Sequence, residues 1–298
     1  MRHVTVLKQE SVNGLNLHKG SVVVDCTLGA GGHGWEIVGR LGPGGIYIGF
    51  DADPTAIEEN TKRFAEVAAT VHLVNRNFRE IDNTLQELKL EQVDAVLADL
   101  GWRMEQFDGS SGLPRGFSFQ SDEPLHMTYG DPKEYSFTAY DIVNEWDEED
   151  IANVLFGYGE ERASRKIAAA IVAARQQAPI TNAHQLAELV QTVVHTPRRV
   201  KTHPATRTFQ ALRIAVNDEF AVLETLLTDG FSLLGSGGRL AIISFHSLED
   251  RMVKHTFRTL VHDQQAIAVT KKPITASPEE VQNNPRARSA KLRIIEKL

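Results

Sequence analysis

The run Asp25-Cys26-Thr27-Leu28-Gly29-Ala30-Gly31-Gly32-His33-Gly34 constrains the fold most, because it joins the apolar triplet Val22-Val23-Val24 to a helical stretch through glycines. Glycine has no Cβ, so the backbone there can turn sharply and approach a ligand closely. A second apolar run, Ile46-Tyr47-Ile48-Gly49-Phe50, ends at Asp51 and precedes a helix expected over 54–66. Val71-His72-Leu73-Val74 reads as a third strand, with a helix over 81–88 after it. Val93-Asp94-Ala95-Val96-Leu97-Ala98 reads as a fourth and ends at Asp99. Strands alternating with helices form βαβ units around a parallel sheet. Right-handed crossovers then bring the C-terminal strand ends, and the loops after them, to one rim.

The alternation stops after Asp99. Residues 103–135 are rich in Gly, Pro, Ser and Asp, a loop long enough to expect a function of it. Helices are expected over 148–158, 162–176 and 183–194, with Thr181-Asn182 as an N-cap signal for the last. The sheet pattern resumes late, with a helix over 218–234, a turn at Gly235-Ser236-Gly237-Gly238 and a buried strand at Arg239-Leu240-Ala241-Ile242-Ile243-Ser244. The expected fold class is α/β: a mostly parallel, Rossmann-like sheet with helices on both faces, over 1–104 and 216–298. An inserted, mainly helical domain is expected over 105–215.

Two readings of the glycine turn are open beside a tight turn with no ligand. Its pattern is G-x-G-G rather than G-x-G-x-x-G, and the acidic Asp25 ends the strand before it. A pyrophosphate wants N–H donors and no nearby carboxylate, whereas a cationic amino-acid headgroup tolerates one. That favours S-adenosyl-L-methionine over a nicotinamide dinucleotide. Asp51 is placed to accept hydrogen bonds from ribose hydroxyls.

Asp99-Leu100-Gly101-Trp102 is similar to the acid-Pro-Pro-aromatic loop of amino methyltransferases. The exocyclic amine of cytosine is a poor nucleophile, since its lone pair is delocalised into the ring. A carboxylate (Asp99) and a backbone carbonyl (Leu100) accepting its N–H bonds concentrate density on nitrogen, and an aromatic face (Trp102) holds the flipped base. Asp99-Gly101 as ordinary turn chemistry and Trp102 as core are the alternatives. Enzymes that methylate cytosine at C5 need a nucleophilic cysteine; Cys26 is the only cysteine and sits in the glycine turn.

Four further runs identify a family: Arg115-Gly116-Phe117-Ser118-Phe119, the stretch from His203-Pro204-Ala205-Thr206-Arg207 to Arg213-Ile214, Ser244-Phe245-His246-Ser247-Leu248-Glu249-Asp250-Arg251, and Asn284-Pro285-Arg286-Ala287-Arg288 with Lys291-Leu292-Arg293. Together with the Gly-Gly-His turn, they resemble the bacterial 16S ribosomal RNA (cytosine-N4)-methyltransferase family. The resemblance implies a methyltransferase core with a helical insert, and N4 methylation of a cytidine in the decoding region of small-subunit RNA. Carried over position by position, it places cofactor contacts on Gly31, Gly32, His33, Asp51, Phe78, Asp99 and Gln106. The chain departs from the family pattern at Trp102-Arg103-Met104-Glu105 and at His126-Met127-Thr128-Tyr129. These departures motivate two other readings, a methyltransferase redirected to another amine and a non-catalytic ribosome-assembly factor.

The net charge of −7 does not announce a nucleic-acid partner, but its distribution does. No acidic residue lies between Glu188 and Asp218, where Arg198, Arg199, Lys201, Arg207 and Arg213 cluster. Arg103, Arg115, Arg207, Arg213, Arg286 and Arg288 are the candidate RNA contacts, with ion pairs inside the protein as the competing role, and His246 the candidate rim residue touching substrate. Ser247 is expected to cap the helix after it, with Asp250 three positions on. The histidines show no metal-ligand spacing, so no metal site is expected. Ordinary composition (42% hydrophobic, 24% charged) and the lack of any apolar run near a membrane span lead us to expect a soluble, cytoplasmic protein.

Overall fold

The computed structural model describes residues 4–100, 115–120, 122–194 and 203–298. The chain divides into two units, Met1–Arg103 with Phe220–Leu298, and Met104–Glu219.

The first unit is built on strands β1 (Val22–Asp25), β2 (Ile46–Phe50), β3 (Thr70–Val74), β4 (Val93–Asp99), β5 (Leu234–Ser244), β6 (Ala266–Ala268) and β7 (Lys291–Lys297). They form one sheet in the order β3-β2-β1-β4-β5-β7-β6. The β1–β2, β1–β4, β2–β3 and β4–β5 pairings are parallel; β7 runs antiparallel to both its neighbours. The chain therefore forms a mostly parallel, Rossmann-like α/β fold whose strand order reverses beside β1, the kind of switch point at which such sheets bind ligands. Successive strand residues supply opposite faces. Val23, Leu97 and Ile243 enter one core; Val24, Val96 and Ile242 enter the other. Burying each such side chain is worth ~1.5–3 kcal/mol, and strands buried on both faces read as continuous apolar runs.

Helices α1 (Lys8–Gly14), α2 (Gly32–Leu41) and α3 (Pro54–Arg63) carry residues of, or packed on, the first core, and α4 (Ile81–Glu87) carries residues of the second. The second unit holds α5 (Ala139–Glu145), α6 (Glu148–Gly159), α7 (Ser164–Arg175), α8 (Ala183–Val193) and α9 (Thr206–Asn217) around a core of its own, with Ile142, Leu155, Ile167, Ile171, Leu186 and Leu212 fully buried. α10 (Glu219–Thr225), α11 (Ser247–His262) and α12 (Pro278–Asn283) complete the helices of the described residues.

Several expectations change. The helix expected over 218–234 is α10 followed by a π turn, Leu226–Gly230. β5 begins at Leu234, so residues 235–238 interrupt a strand instead of preceding one: Val93 pairs with Leu234 and Ala95 with Arg239. The cap of α11 is His246 rather than Ser247, in a capping box with Glu249. The C-terminal basic run is largely sheet. Within it, Lys291 and Arg293 grip Asp250 of α11 at 2.9 and 2.7 Å. Burial pushes the Asp250 carboxyl up, but these two cations outweigh it and hold the group below its usual range.

Candidate active site

The C-terminal ends of β1, β2 and β4 converge on the glycine turn. Leu28 donates its N–H to Phe50 and Gly29 donates to the Asp51 carboxylate, at 2.8 and 2.9 Å. The other Asp51 oxygen accepts from the Asp53 N–H at 2.9 Å, so its carboxylate is oriented by two backbone donors. The Asp51 N–H reaches Val74 at the end of β3, and Phe78 follows in a 3-10 turn, half-buried. On the other side, the Asp99 N–H donates to the Thr27 hydroxyl at 2.6 Å, tying the end of β4 to the turn after β1. The Leu100 N–H donates to Ile243 at 3.0 Å, continuing the β4–β5 ladder past Asp99.

The glycines serve packing in a way that the expectation of ligand approach alone did not anticipate. Gly31 sits at φ +73°, and a Cβ there would overlap the Asn60 side-chain oxygen. A Cβ on Gly32 would overlap the Thr5 hydroxyl, and one on Gly34 the Tyr47 hydroxyl. Asn60 in turn donates to the Gly29 carbonyl at 2.9 Å and Arg63 donates to the Ala30 carbonyl, so α3 holds the turn.

Beneath the turn lies a buried polar cluster. Asp25, 1% exposed, accepts the Tyr47 hydroxyl at 2.8 Å and the Thr27 N–H at 3.1 Å. Burial pushes its carboxyl up, opposed by His33 and by those two donors. The His33 Nε2 lies 3.1 Å from the Val6 carbonyl and its Nδ1 3.8 Å from Asp99 Oδ2. Burial pulls the His33 imidazole below its usual range, opposed by the charge of Asp25 and the bond to Val6. Burial, with Asp25 beside it, pushes the Cys26 thiol well up. A protonated, inaccessible thiol is no nucleophile.

Gly31, Gly32, His33, Asp51 and Asp99 are thus gathered at one rim, with Leu100 continuing β4 and Phe78 after β3. Trp102, Arg103 and Gln106 lie outside the described residues. His246 caps α11 just past β5, with its ring 6.2 Å from that of Phe220. Among the expected RNA contacts, Arg207 and Arg288 are exposed and Arg286 is half-buried. Two expectations fail. Arg115 and Arg213 are 2% and 1% exposed, because Arg115 donates to the Tyr129 carbonyl and Arg213 pairs with Glu219 at 2.6 Å. A buried guanidinium bonded inside its own unit does not reach RNA phosphate. Arg207 also donates to the Glu160 carbonyl, at 3.0 Å.

Sequence reasoning missed Tyr47, Asn60 and Val6. Tyr47 reads as one more apolar strand residue, and nothing local marks Asn60 or the N-terminal segment as partners of a turn so near in space. That segment is itself anchored: Leu7 N–H donates to Glu280 at 2.7 Å, and Asn284 donates to the Val4 carbonyl at 2.9 Å.

Comparison with known proteins bears on what such a rim does. "Ribosomal RNA small subunit methyltransferase H" of Brevibacillus brevis is 43% identical over 99% of this chain and 98% of its own length. The protein of the same name from Clostridioides difficile is 40% identical over 99% of both. The model of the MraW methylase family matches residues 1–298. The chain therefore belongs to the MraW methylase family.

Proposed function

We propose that the chain transfers a methyl group from S-adenosyl-L-methionine to N4 of a cytidine in the decoding region of 16S ribosomal RNA. The substrate is read as RNA within a small ribosomal subunit, in the cytoplasm. One observation carries the reading: a carboxylate, Asp99, ends the strand beside the glycine turn and is tied to it through Thr27. Such a carboxylate accepts an amine N–H and raises electron density on nitrogen. The relatives' names supply the class of substrate, small-subunit ribosomal RNA.

The residues fit the cofactor. A carboxylate offers about four acceptor positions, so an Asp51 anchored by two backbone donors suits two ribose hydroxyls. Phe78 supplies an apolar face for adenine, and the turn through Gly31, Gly32 and His33, with Asp25 beneath, suits a cationic headgroup. When bound, the cofactor supplies an electrophilic methyl group. Asp99 and the Leu100 carbonyl orient the amine, and Trp102 stacks the flipped base for roughly 1–3 kcal/mol. Gln106 is assigned to the cofactor and Arg103 to a phosphate. Arg207, Arg286 and Arg288 are assigned to the RNA backbone, His246 to the substrate side, and the helical unit to RNA recognition.

The test is methyl transfer from labelled cofactor to small subunits purified from cells lacking this protein, with the nucleoside identified by mass spectrometry. N4-methylcytidine made by the wild type and lost in Asp99→Ala is the expected result. Cofactor binding without transfer would move the chain to another amine or to an assembly role.

A further inference from the structure

We propose that His33 stands behind Asp99 as the site's second proton acceptor, taking up the proton that the amine releases on methylation. The proposal rests on the amine-methylation reading above. In that reaction the nitrogen lone pair forms the new N–C bond, while the electron pair of the breaking S–C bond stays on sulfur. The nitrogen then carries a positive charge until one of its N–H protons leaves. Asp99 accepts that N–H, but a carboxylate is ordinarily a weaker base than an imidazole and a poorer place to keep a proton. The proton passes on to His33 Nδ1, Asp99 returns to its ionised form, and the imidazolium gives the proton to solvent after product leaves.

The geometry sets this up. The Val6 carbonyl accepts only, so His33 Nε2, at 3.1 Å, carries the hydrogen. A neutral His33 therefore turns the lone pair of Nδ1 toward Asp99 Oδ2, 3.8 Å away. Two acceptors face one another with room for a proton between them, and the gap is about 0.6 Å beyond hydrogen-bond range. A proton arriving from the amine converts repulsion to attraction and lets the pair close. His33 is 5% exposed, so the proton reaches it through Asp99 more readily than from bulk water.

Burial disfavours an imidazolium at His33, and neighbouring charges offset part of that cost for a transient one. Asp25 on β1 attracts it from one side and Asp99 on β4 from another; Lys8 on α1 opposes it. Tyr47 on β2 acts through its hydroxyl on Asp25. The buried Val6 carbonyl, held by the anchored N-terminal segment, locks the tautomer.

The experiment has two arms on the full chain. In the first, imidazole nitrogen NMR without cofactor or RNA, assigned by loss of the signal in His33→Gln, reads the tautomer. The expected result is Nε2–H with a bare Nδ1 at neutral pH, proton uptake at Nδ1 on acidification, and a lower midpoint in Asp99→Asn. An Nδ1–H tautomer, or a midpoint indifferent to Asp99→Asn, overturns the proposal even if His33→Gln fails to fold. In the second arm, at saturating cofactor, single-turnover methyl transfer by His33→Gln slows by ~10²-fold, at the low end for lost proton transfer. Its acid limb below pH 6.5, where wild-type activity falls as the imidazole protonates, also disappears. Unchanged rate and pH profile overturn the relay. A wild-type chain inactive on ribosomal RNA overturns the functional reading instead, and the nitrogen titration alone then decides the coupling of His33 to Asp99.

Discussion

The Tyr47 hydroxyl donates to the Asp25 carboxylate at 2.8 Å, and the missing Cβ of Gly34 makes the space for it. Both partners are fully buried. Tyr47→Phe removes one donor from a carboxylate that water does not reach, at a cost of ~1–3 kcal/mol. The pH sense follows from burial, which raises the folded Asp25 carboxyl above 3.8. Between 3.8 and that raised value the folded state binds more protons than the unfolded one, so this group's contribution to stability falls as pH rises. Removing the tyrosine donor raises the folded carboxyl further. The Tyr47→Phe penalty measured by denaturant unfolding is therefore larger at neutral pH than at mildly acidic pH.

Gly31→Ala places a side chain at φ +73° and against Asn60. The left-handed conformation alone costs ~1–2 kcal/mol, and Asn60 must also release the Gly29 carbonyl to make room. Lower thermal stability together with weaker cofactor binding by calorimetry is the expected pair of results. Asn60→Ala in the same background recovers part of the stability but not the turn's anchorage.

Asp51→Asn retains the shape at the end of β2 and turns one acceptor into a donor. It loses the bond from either Gly29 or Asp53 and, on the proposed reading, the charge offered to the cofactor's ribose. Hydrogen bonds to charged groups are worth about 1.5–3 kcal/mol, so cofactor affinity falls by roughly tenfold to a hundredfold. Titration calorimetry checks this, with Asp51→Glu as the variant that keeps charge but misplaces it.

Glu219→Gln tests the reassignment of Arg213. The pair has two contacts, at 2.6 and 2.8 Å, around a guanidinium 1% exposed. Removing the carboxylate charge from a buried pair costs ~3–5 kcal/mol. The loss appears in unfolding of the helical unit, while the salt dependence of RNA binding by the folded protein is unchanged.

Arg288→Ala makes the opposite prediction. Its side chain is exposed in the turn before β7. Losing one phosphate contact lowers the slope of log affinity against log salt by about 1 and leaves thermal stability within roughly 0.5 kcal/mol. Filter binding across a salt series measures it.

Much of this was legible in the order of residues. The apolar runs that became β1, β2, β3 and β4 are local signals, since a strand buried on both faces must be apolar throughout. The acids that end three of them reach one rim because βαβ crossovers have one hand. The glycine turn and Asp99 were readable for the same reason, being covalently attached to those strands. β7 was not: Lys291-Leu292-Arg293 reads as a basic surface, and only pairing with β5 and Asp250 makes it a strand. Arg115 and Arg213 read as phosphate grips, yet burial and the partners Tyr129 and Glu219 decided otherwise. Charge is written in the sequence, but whether water or a carboxylate answers it is not. Likewise, the sequence alone determined that His33 follows a glycine turn. That its Nε2 meets Val6 and its Nδ1 faces Asp99 was decided by tertiary structure, which brings segments 27 and 66 residues away in the chain into contact distance of one imidazole.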